Sequence, residues 1–348
     1  MWMLVACAPG SVGLGGDSGG GDTAAESVAR DSAGETGADS GDDTAADTAT
    51  DTATDTGSSE LLPWPASLPP AVTALAGLEE DFEISLSGAT WNAATRELWV
   101  VRGDGATAWA LARDGEGDWA IDREADLGSL DLESVVVPDP VGAPGVIYLM
   151  VEHEERIQAV EVSASGVATL GLSWDTSPYL PTSGSLGSEG LAFVPDAALA
   201  AGGFVDGAGV ERTSRLGHDG LFFVGTQNGG AFHVFDLSDN GTDFEQVGEF
   251  QSARDDLSGL EWDASAGRLY AWHGGDHNDL GVYRLSSTSG TLDLEAIYDF
   301  PGDDNIEGLA LLGTEDCVDG KRPLVLTIDD GRERALDVYE DWPLGCGE

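Results

Sequence analysis

Five short, similar sequences each place an acidic or hydroxyl residue at the start of an apolar stretch. These residues are Ser87, Glu133, Glu189, Ser258 and Glu307. If the five stretches converge, three carboxylates and two hydroxyls face one point. Crowded carboxylates repel one another unless they share a proton or a cation. An all-oxygen donor set suits a hard ion such as calcium, so the five residues are predicted calcium ligands.

A wide, water-filled channel explains the same residues without an ion. In that case each glutamate is hydrated or bonded to backbone N–H groups. Asp131, Asp256 and Asn305 stand two residues before three of the five positions and would add oxygens at the channel mouth. The sequence leaves the calcium site and the hydrated channel equally open.

The repeat predicts an all-β fold. Consecutive positions of the repeat are between 46 residues (from 87 to 133) and 69 residues (from 189 to 258) apart, which suits a four-stranded blade with variable loops. Each repeat continues with strand-like runs such as 146–151 and the alternating 157–162. We therefore predict a five-bladed β-propeller whose first strands line a central channel. No segment shows a helical period, and the Ala/Gly-rich composition of residues 193–219 argues against a sixth blade.

The fifth repeat ends after Tyr339 without an outer strand. Segment 82–86 stands before the first repeat just as the other outer strands stand before theirs. We predict that this N-terminal strand closes the last blade, which removes the two open edges of an unclosed ring. The propeller domain is assigned to residues 78–348.

Residues 8–60 are rich in Gly, Asp, Thr, Ser and Ala. Such a segment buries too little apolar surface to offset its ordering entropy, so we predict a disordered acidic tether. Residues 1–7 end in a bacterial lipobox, with Cys7 as the lipidated residue. Residues 1–6 contain no Lys or Arg and are shorter than a signal peptide. Either the true start lies upstream or the match is coincidental, and the tether favours the anchor.

Of the two other cysteines, Cys317 lies in the loop after the fifth opening strand and Cys346 lies near the C-terminus. A disulfide between them would restrain the fifth blade and stabilise it by about 3 kcal/mol on a loop-entropy estimate. It would also indicate an oxidising exterior. Two free thiols are the alternative.

The charge restricts the partners. The chain has 64 acidic and 15 basic residues, a formal charge of −49. Binding to nucleic acid or to anionic lipid through a basic patch is disfavoured, and divalent cations are favoured. Most of the carboxylates are interpreted as a solubilising surface. We expect a monomer that contacts the membrane through its lipid anchor alone and binds an unidentified envelope or extracellular ligand.

Enzyme motifs are weak, and no catalytic residue is assigned. The stretch 184–190 has the wrong glycine spacing for a nucleophile elbow. The cluster 273–278, which contains two histidines and an aspartate, would bind a metal or act as an acid/base pair. A polar Gly-rich turn is the preferred interpretation. His153, His218 and His233 are interpreted as isolated, structural residues.

The repeat sequences resemble the SdiA-regulated (YjiK-like) family of bacterial β-propellers. The stretches that carry the resemblance are 131–135, 189–193, 256–263, 267–271 and 305–310. It covers about residues 80–340. The resemblance implies a five-bladed propeller with bound calcium, in secreted or envelope-anchored proteins, and nothing about DNA binding.

Family members often place an acidic residue at the end of the second strand of a blade. Asp104, Glu152 and Asp329 stand near that position in three repeats, whereas Gln227 and His273 depart from the pattern.

Together these features predict an envelope-anchored, calcium-binding propeller that acts as a ligand- or partner-binding module. We expect it at the outer membrane or cell surface, or secreted. The alternative is a calcium-dependent hydrolase, phytase-like or lactonase-like. Phosphate-cleaving enzymes need cations beside the metal, and this chain has a single lysine, Lys321, and few arginines near the repeat sequences. The binding module is therefore preferred.

Overall fold

The computed structural model describes residues 60–70, 78, 82, 85–114, 118–138, 145–180, 187–288, 291–329 and 334–346. Within these residues the chain forms five sheets. The lipidation residue Cys7 and residues 8–59 of the predicted tether lie outside the described part.

The strands follow one another in chain order. A short strand, β1 (Leu61–Pro63), precedes the blades. The first blade contains β2 (Gly88–Asn92), β3 (Glu97–Arg102), β4 (Thr107–Arg113) and β5 (Trp119–Asp126). The second contains β6 (Leu132–Val136), β7 (Val146–Val151), β8 (Arg156–Val162) and β9 (Ala168–Asp175). The third contains β10 (Ser188–Pro195), β11 (Gly220–Thr226), β12 (Ala231–Leu237) and β13 (Phe244–Gln251). The fourth contains β14 (Leu257–Asp263), β15 (Arg268–His273), β16 (Asp279–Arg284) and β17 (Asp293–Asp299). The fifth contains β18 (Ile306–Leu311), β19 (Arg322–Ile328) and β20 (Leu336–Trp342).

The first strands of the blades form a closed inner ring. β2 contacts β6, β6 contacts β10, β10 contacts β14, β14 contacts β18, and β18 contacts β2. Each blade is an antiparallel sheet in which neighbouring strands pair in sequence order. Second strands such as β11 are buried along their whole length, whereas the outer β5 alternates between buried and exposed residues, as a half-solvated strand should. The prediction of a five-bladed propeller is confirmed.

The hydrophobic core lies between the blades. Five clusters of buried side chains fill the five junctions between neighbouring blades in the described residues. Phe223 and Leu260, for example, join the third and fourth blades. Trp109 and Val338 belong to the cluster that joins the first and fifth blades. The ring is therefore closed by side-chain packing as well as by the inner strands.

The segment predicted to close the last blade contacts that blade. Phe82 is fully buried, and its ring lies 5.2 Å from that of Trp109. Ser85 forms a bridge with Asp329, and the Leu86 backbone N–H donates to the Ile328 carbonyl at 3.0 Å. Residues 83 and 84 lie outside the described part, so the outer-strand role of this segment stays a prediction.

A second N-terminal segment joins the fourth blade, which the sequence did not predict. β1 pairs in parallel with β17 as a fifth strand. Trp64 follows β1 and places its ring 5.1 to 6.0 Å from the rings of Trp272, Phe300, Tyr339 and Trp342. The side chain thus bridges the fourth and fifth blades.

The long connection between β10 and β11 contains a helix, α1 (Asp196–Gly202), and no strand of a sixth blade in its described residues. Sequence periodicity missed this helix because seven residues make only two turns. The loop that follows β18 is joined by a disulfide between Cys317 and Cys346 to the segment after β20. This is the pair predicted from the sequence. None of the helices among the described residues has the length and apolar character needed to span a membrane.

Candidate functional site

Four of the five predicted ligand residues occupy a β-bulge at the start of an inner strand. In β10, Ser188 faces Thr226 and Gly190 faces Gly225, so Glu189 has no partner opposite it. The same place in β6, β14 and β18 is taken by Glu133, Ser258 and Glu307. A bulge leaves the extra residue out of the ladder and re-aims its side chain. In these four blades the predicted ligand residue therefore coincides with the bulge that presents its side chain.

Ser87 holds the equivalent position in the first blade, directly before β2. Its backbone N–H donates to the Val101 carbonyl at 3.0 Å, and its Oγ accepts from the Gly103 N–H at 3.3 Å. A Cβ built on Gly103 would lie 3.4 Å from both Ser87 Oγ and Glu133 Oε1. The first two blades thus bring a hydroxyl and a carboxylate together over this glycine.

The carboxyl groups of Glu133 and Glu189 lie close enough to share a hydrogen bond when one of them carries a proton. Burial raises the pKa of Glu133 to about 8, and the charges of Asp131, Glu152 and Glu307 add to the shift. Burial also raises the pKa of Glu189 well above its usual range, with the charges of Glu133 and Glu307 acting in the same direction. The three predicted glutamates are therefore close enough to interact.

Glu307 is held by its neighbours on the fifth blade. Its pKa is raised to about 7, mainly by burial and next by the charge of Asp329. A hydrogen bond from Asn305 opposes the rise. Asn305 Nδ2 donates to Glu307 Oε1 and also to the Asp329 carbonyl, the latter at 3.0 Å. The amide nitrogen of Asn305 thus positions Glu307. The sequence predicted an oxygen donor at this place.

A second acidic group lies beside the glutamates. Ligand atoms of Asp131, Glu152 and His153 all lie within 4.8 Å of one another. The Glu152 N–H donates to the Asp131 carbonyl at 3.0 Å, which brings the turn after β7 next to Asp131. The hydrogen bond with Asp131 raises the pKa of the exposed His153 ring. The interpretation of His153 as isolated was wrong, because its partner is 22 residues away in the sequence and is brought near by this turn.

Asp256 and Ser258 both lie beside the glycine pair Gly274 and Gly275. A Cβ on Gly274 would lie 3.3 Å from Ser258 Oγ and 3.6 Å from Asp256 Oδ1, and one on Gly275 would lie 2.2 Å from Asp256 Oδ2. Ser258 Oγ donates to the Ile306 carbonyl at 2.9 Å, which leaves its lone pairs available. Asp256 Oδ1 is buried and has no hydrogen-bond partner among the described residues.

These residues form one acidic region, the acidic mouth, at the start of the inner strands. It consists of Ser87, Asp131, Glu133, Glu152, Glu189, Asp256, Ser258, Glu307 and Asp329. Lys321 and Arg254 have acidic partners outside this set, Asp341 at 3.4 Å and Asp279 at 3.3 Å. The carboxylates of the acidic mouth require compensation by protons or by a cation.

The histidine-rich turn does not form a second cluster. His273 is fully buried, with Nδ1 2.8 Å from Asp279 Oδ1 and Nε2 3.2 Å from the Tyr283 hydroxyl. His277 lies on the turn and bonds Asp255 Oδ1 at 2.6 Å. The two rings have separate partners, as expected for a structural turn.

The other two histidines pack within the blades. His218 lies against the rings of Tyr148, Trp174 and Phe222. His233 is buried and bonds Gln246 at 3.2 Å. Burial lowers the pKa of both histidines. Their interpretation as structural residues is consistent with these contacts.

No protein-family model matches the chain, and none of the curated proteins matches it. Solved structures that resemble it include a Lactobacillus plantarum protein at 15% identity and TM-score 0.39, over 62% of this chain and 56% of that one. A Myxococcus xanthus glutaminyl cyclase matches at 12% identity and TM-score 0.44, over 75% of this chain and 92% of that one. A luciferin-regenerating enzyme matches at 10% identity and TM-score 0.40, over 74% of this chain and 76% of that one. The chain thus spans little more than half of the Lactobacillus protein, and similarity at this level says nothing about function.

Proposed function

We propose that this protein is a calcium-binding propeller that serves as a ligand- or partner-binding module of the bacterial envelope. The observation that supports calcium most directly is the buried carboxyl pair of Glu133 and Glu189, with Glu307 close enough to raise the pKa of both. Protons relieve the repulsion at low pH. Near neutral pH and above, where the carboxyl groups lose their protons, a divalent cation compensates their negative charge better.

The donor set fits calcium better than a softer metal. Calcium takes six to eight oxygen ligands in a flexible arrangement. The predicted ligands Ser87, Glu133, Glu189, Ser258 and Glu307 all offer oxygen atoms, and water completes such a shell. Zinc would instead favour His and Cys ligands. Asp256 Oδ1, buried without a described partner, is a further oxygen that the ion would use.

A binding role is preferred to hydrolysis. A phosphate-cleaving enzyme holds its anionic substrate with cations beside the metal, whereas Lys321 and Arg254 have acidic partners outside the acidic mouth. The resemblance to the SdiA-regulated family supports bound calcium and an envelope location, and does not distinguish binding from hydrolysis. Calcium-dependent turnover of phosphomonoesters, aryl esters or lactones, abolished by Glu133→Gln, would favour the hydrolase instead.

The envelope assignment comes from the lipobox and the acidic tether. Expressed in bacteria with a complete signal sequence, the protein should incorporate a fatty-acid probe, and Cys7→Ser should abolish labelling and release the protein. Unlabelled, soluble protein from the unaltered gene would contradict the anchor. Because Cys7 lies outside residues 78–348, to which the propeller is assigned, this experiment tests the anchor separately from calcium binding.

Calorimetric titration of chelator-treated protein tests the ion. We expect saturable calcium binding that Glu189→Gln weakens by at least about tenfold, since a charged ligand is lost. Glu161→Gln, an exposed change on β8, is the matched control and should bind like the wild type. Absence of calcium binding, or equal affinity in both variants, would contradict the proposal.

A further inference from the structure

The inner strands end at a second opening, at the opposite end from the acidic mouth. A cavity of about 420 Å³ lies there. Its walls come from the last residues of all five inner strands, including Thr90, Phe193, Glu261 and Leu311. A cavity of this size holds a small organic molecule.

The wall is mainly apolar and aromatic. Trp91 and Trp262 line the cavity together with Phe193 and Leu311. Three carboxyl side chains, those of Glu261, Asp263 and Glu315, interrupt this surface. Thr90 Oγ1 donates to Glu261 Oε2 at 3.3 Å, and the Leu311 N–H donates to the same carboxyl.

The arginine that lines the cavity, Arg322, already has an acidic partner and two carbonyl partners. Arg322 forms a buried ion pair with Asp263, and its Nε and Nη1 donate to the carbonyls of Leu344 at 3.1 Å and Leu312 at 3.3 Å. It is therefore not placed to hold an anionic ligand. Glu261 is left without an ion-pair partner within the described residues, and burial raises its pKa to about 8.

Three charged groups act on Glu261 or share its cavity. Asp263, two residues along β14, raises the pKa of Glu261, and Arg322 on β19 lowers it. Glu315, on the turn after β18, is a third charged side chain in the wall. With Asp263 and Arg322 neutralising each other, the cavity carries no positive charge for Glu261. The overall charge of −49 draws cations to the protein.

We propose that this cavity binds a small organic cation, with the ammonium group against Glu261 and its alkyl groups against Trp91 and Trp262. Aromatic rings and a desolvated carboxylate are the partners that ammonium ligands find in proteins. Binding converts Glu261 from the neutral acid to the carboxylate, so a proton is released as the cation enters. This site is separate from the acidic mouth and does not depend on calcium.

The probes are choline and its uncharged isostere 3,3-dimethyl-1-butanol, titrated into the full chain in excess chelator. We expect choline to bind at least about tenfold more tightly than the isostere. Glu261→Gln should remove that preference and leave the isostere unaffected, because a carboxamide oxygen still accepts from Thr90 and Leu311. Glu161→Gln is the matched control and should keep the preference.

The wild type provides a test that does not depend on any variant folding. Choline affinity should rise as the pH approaches about 8, with proton uptake by the buffer. Equal affinity for the two probes, undetectable choline binding at millimolar concentration, or choline binding without proton release would each overturn the proposal.

Discussion

At the residue scale, the account depends on how Glu133, Glu189 and Glu307 avoid mutual repulsion. One solution is a proton shared between the carboxyl groups of Glu133 and Glu189, whose pKa values are both raised. A bound calcium ion is the other solution. The shared proton and the ion exclude each other because the metal needs both carboxylates ionised. Calcium uptake should therefore release protons.

The pH dependence of stability follows from the same groups. In metal-free protein the pKa values of Glu133 and Glu307, about 8 and about 7, exceed their usual value of 4.5. The folded state then binds more protons than the unfolded state. The contribution of these two groups to the free energy of unfolding is therefore complete below pH 4.5 and is lost as the pH rises through about 7 to 8. Urea midpoints measured against pH in chelator should fall over this range.

Glu133→Gln should make that fall shallower, since one of the titrating groups is gone. Burial also raises the pKa of Glu261, so this group makes stability fall with pH in the same direction. That part of the fall should remain in the Glu133→Gln variant. Saturating calcium should flatten the wild-type curve. Parallel curves for wild type and variant in chelator would show that Glu133 titrates normally.

At the element scale, each inner strand combines a bulge with a small residue. Gly190, Gly259 and Gly308 follow the bulged residue in their blades, and Ser134 takes this place in the second. A Cβ on Gly308 would lie 2.8 Å from Gly88 Cα and 2.7 Å from Thr327 Oγ1. The glycines thus let neighbouring inner strands approach closely.

Gly308→Ala should destabilise the propeller by about 1–3 kcal/mol, as overpacking does. Gly207→Ala is the matched control, because its Cβ would lie 3.6 Å from the nearest atom, an ordinary contact. Thermal or urea unfolding measures both. Equal stability of the two variants would show that the inner ring has room for side chains.

The repeat sequence predicted the inner strands and the convergence of the three glutamates, because both depend on residue types at fixed positions. It did not predict the bulges, which are backbone events with no distinctive residue beyond the glycine. It also missed the bond between His153 and Asp131, which depends on the turn after β7. The cavity around Glu261 was missed because its lining comes from five separate strands.

At the scale of the whole molecule, β1 pairs with the fourth blade, and Phe82, Ser85 and Leu86 contact the ring. Residues 82–86 had a predicted role there, since the repeat pattern left the fifth blade one strand short. β1 and Trp64 had none, because three strand residues after a low-complexity stretch give no periodic signal. The aromatic contacts of Trp64 with both the fourth and fifth blades indicate that this segment stabilises their junction.

Truncation distinguishes the tether from this segment. A chain starting at residue 60 should melt at the same temperature as the full protein, since the composition of the tether predicts that it is disordered. A chain starting at residue 71 loses β1 and Trp64 and should melt lower by about 5 °C or more. Equal melting temperatures for these two truncated proteins would show that β1 and Trp64 contribute no stability.

The central claim is that Glu133, Glu189 and Glu307 share a calcium ion. The most direct measurement is the melting temperature of wild type and Glu133→Gln, each with chelator and with calcium. A bound ion stabilises the folded state by RT ln(1 + [L]/Kd), about 2.7 kcal/mol at a hundredfold excess over Kd. We predict that Glu133→Gln is neutral or stabilising in chelator, because it relieves repulsion, and destabilising in calcium, because it removes a ligand. The same effect of the substitution under both conditions would contradict the claim and indicate a hydrated channel.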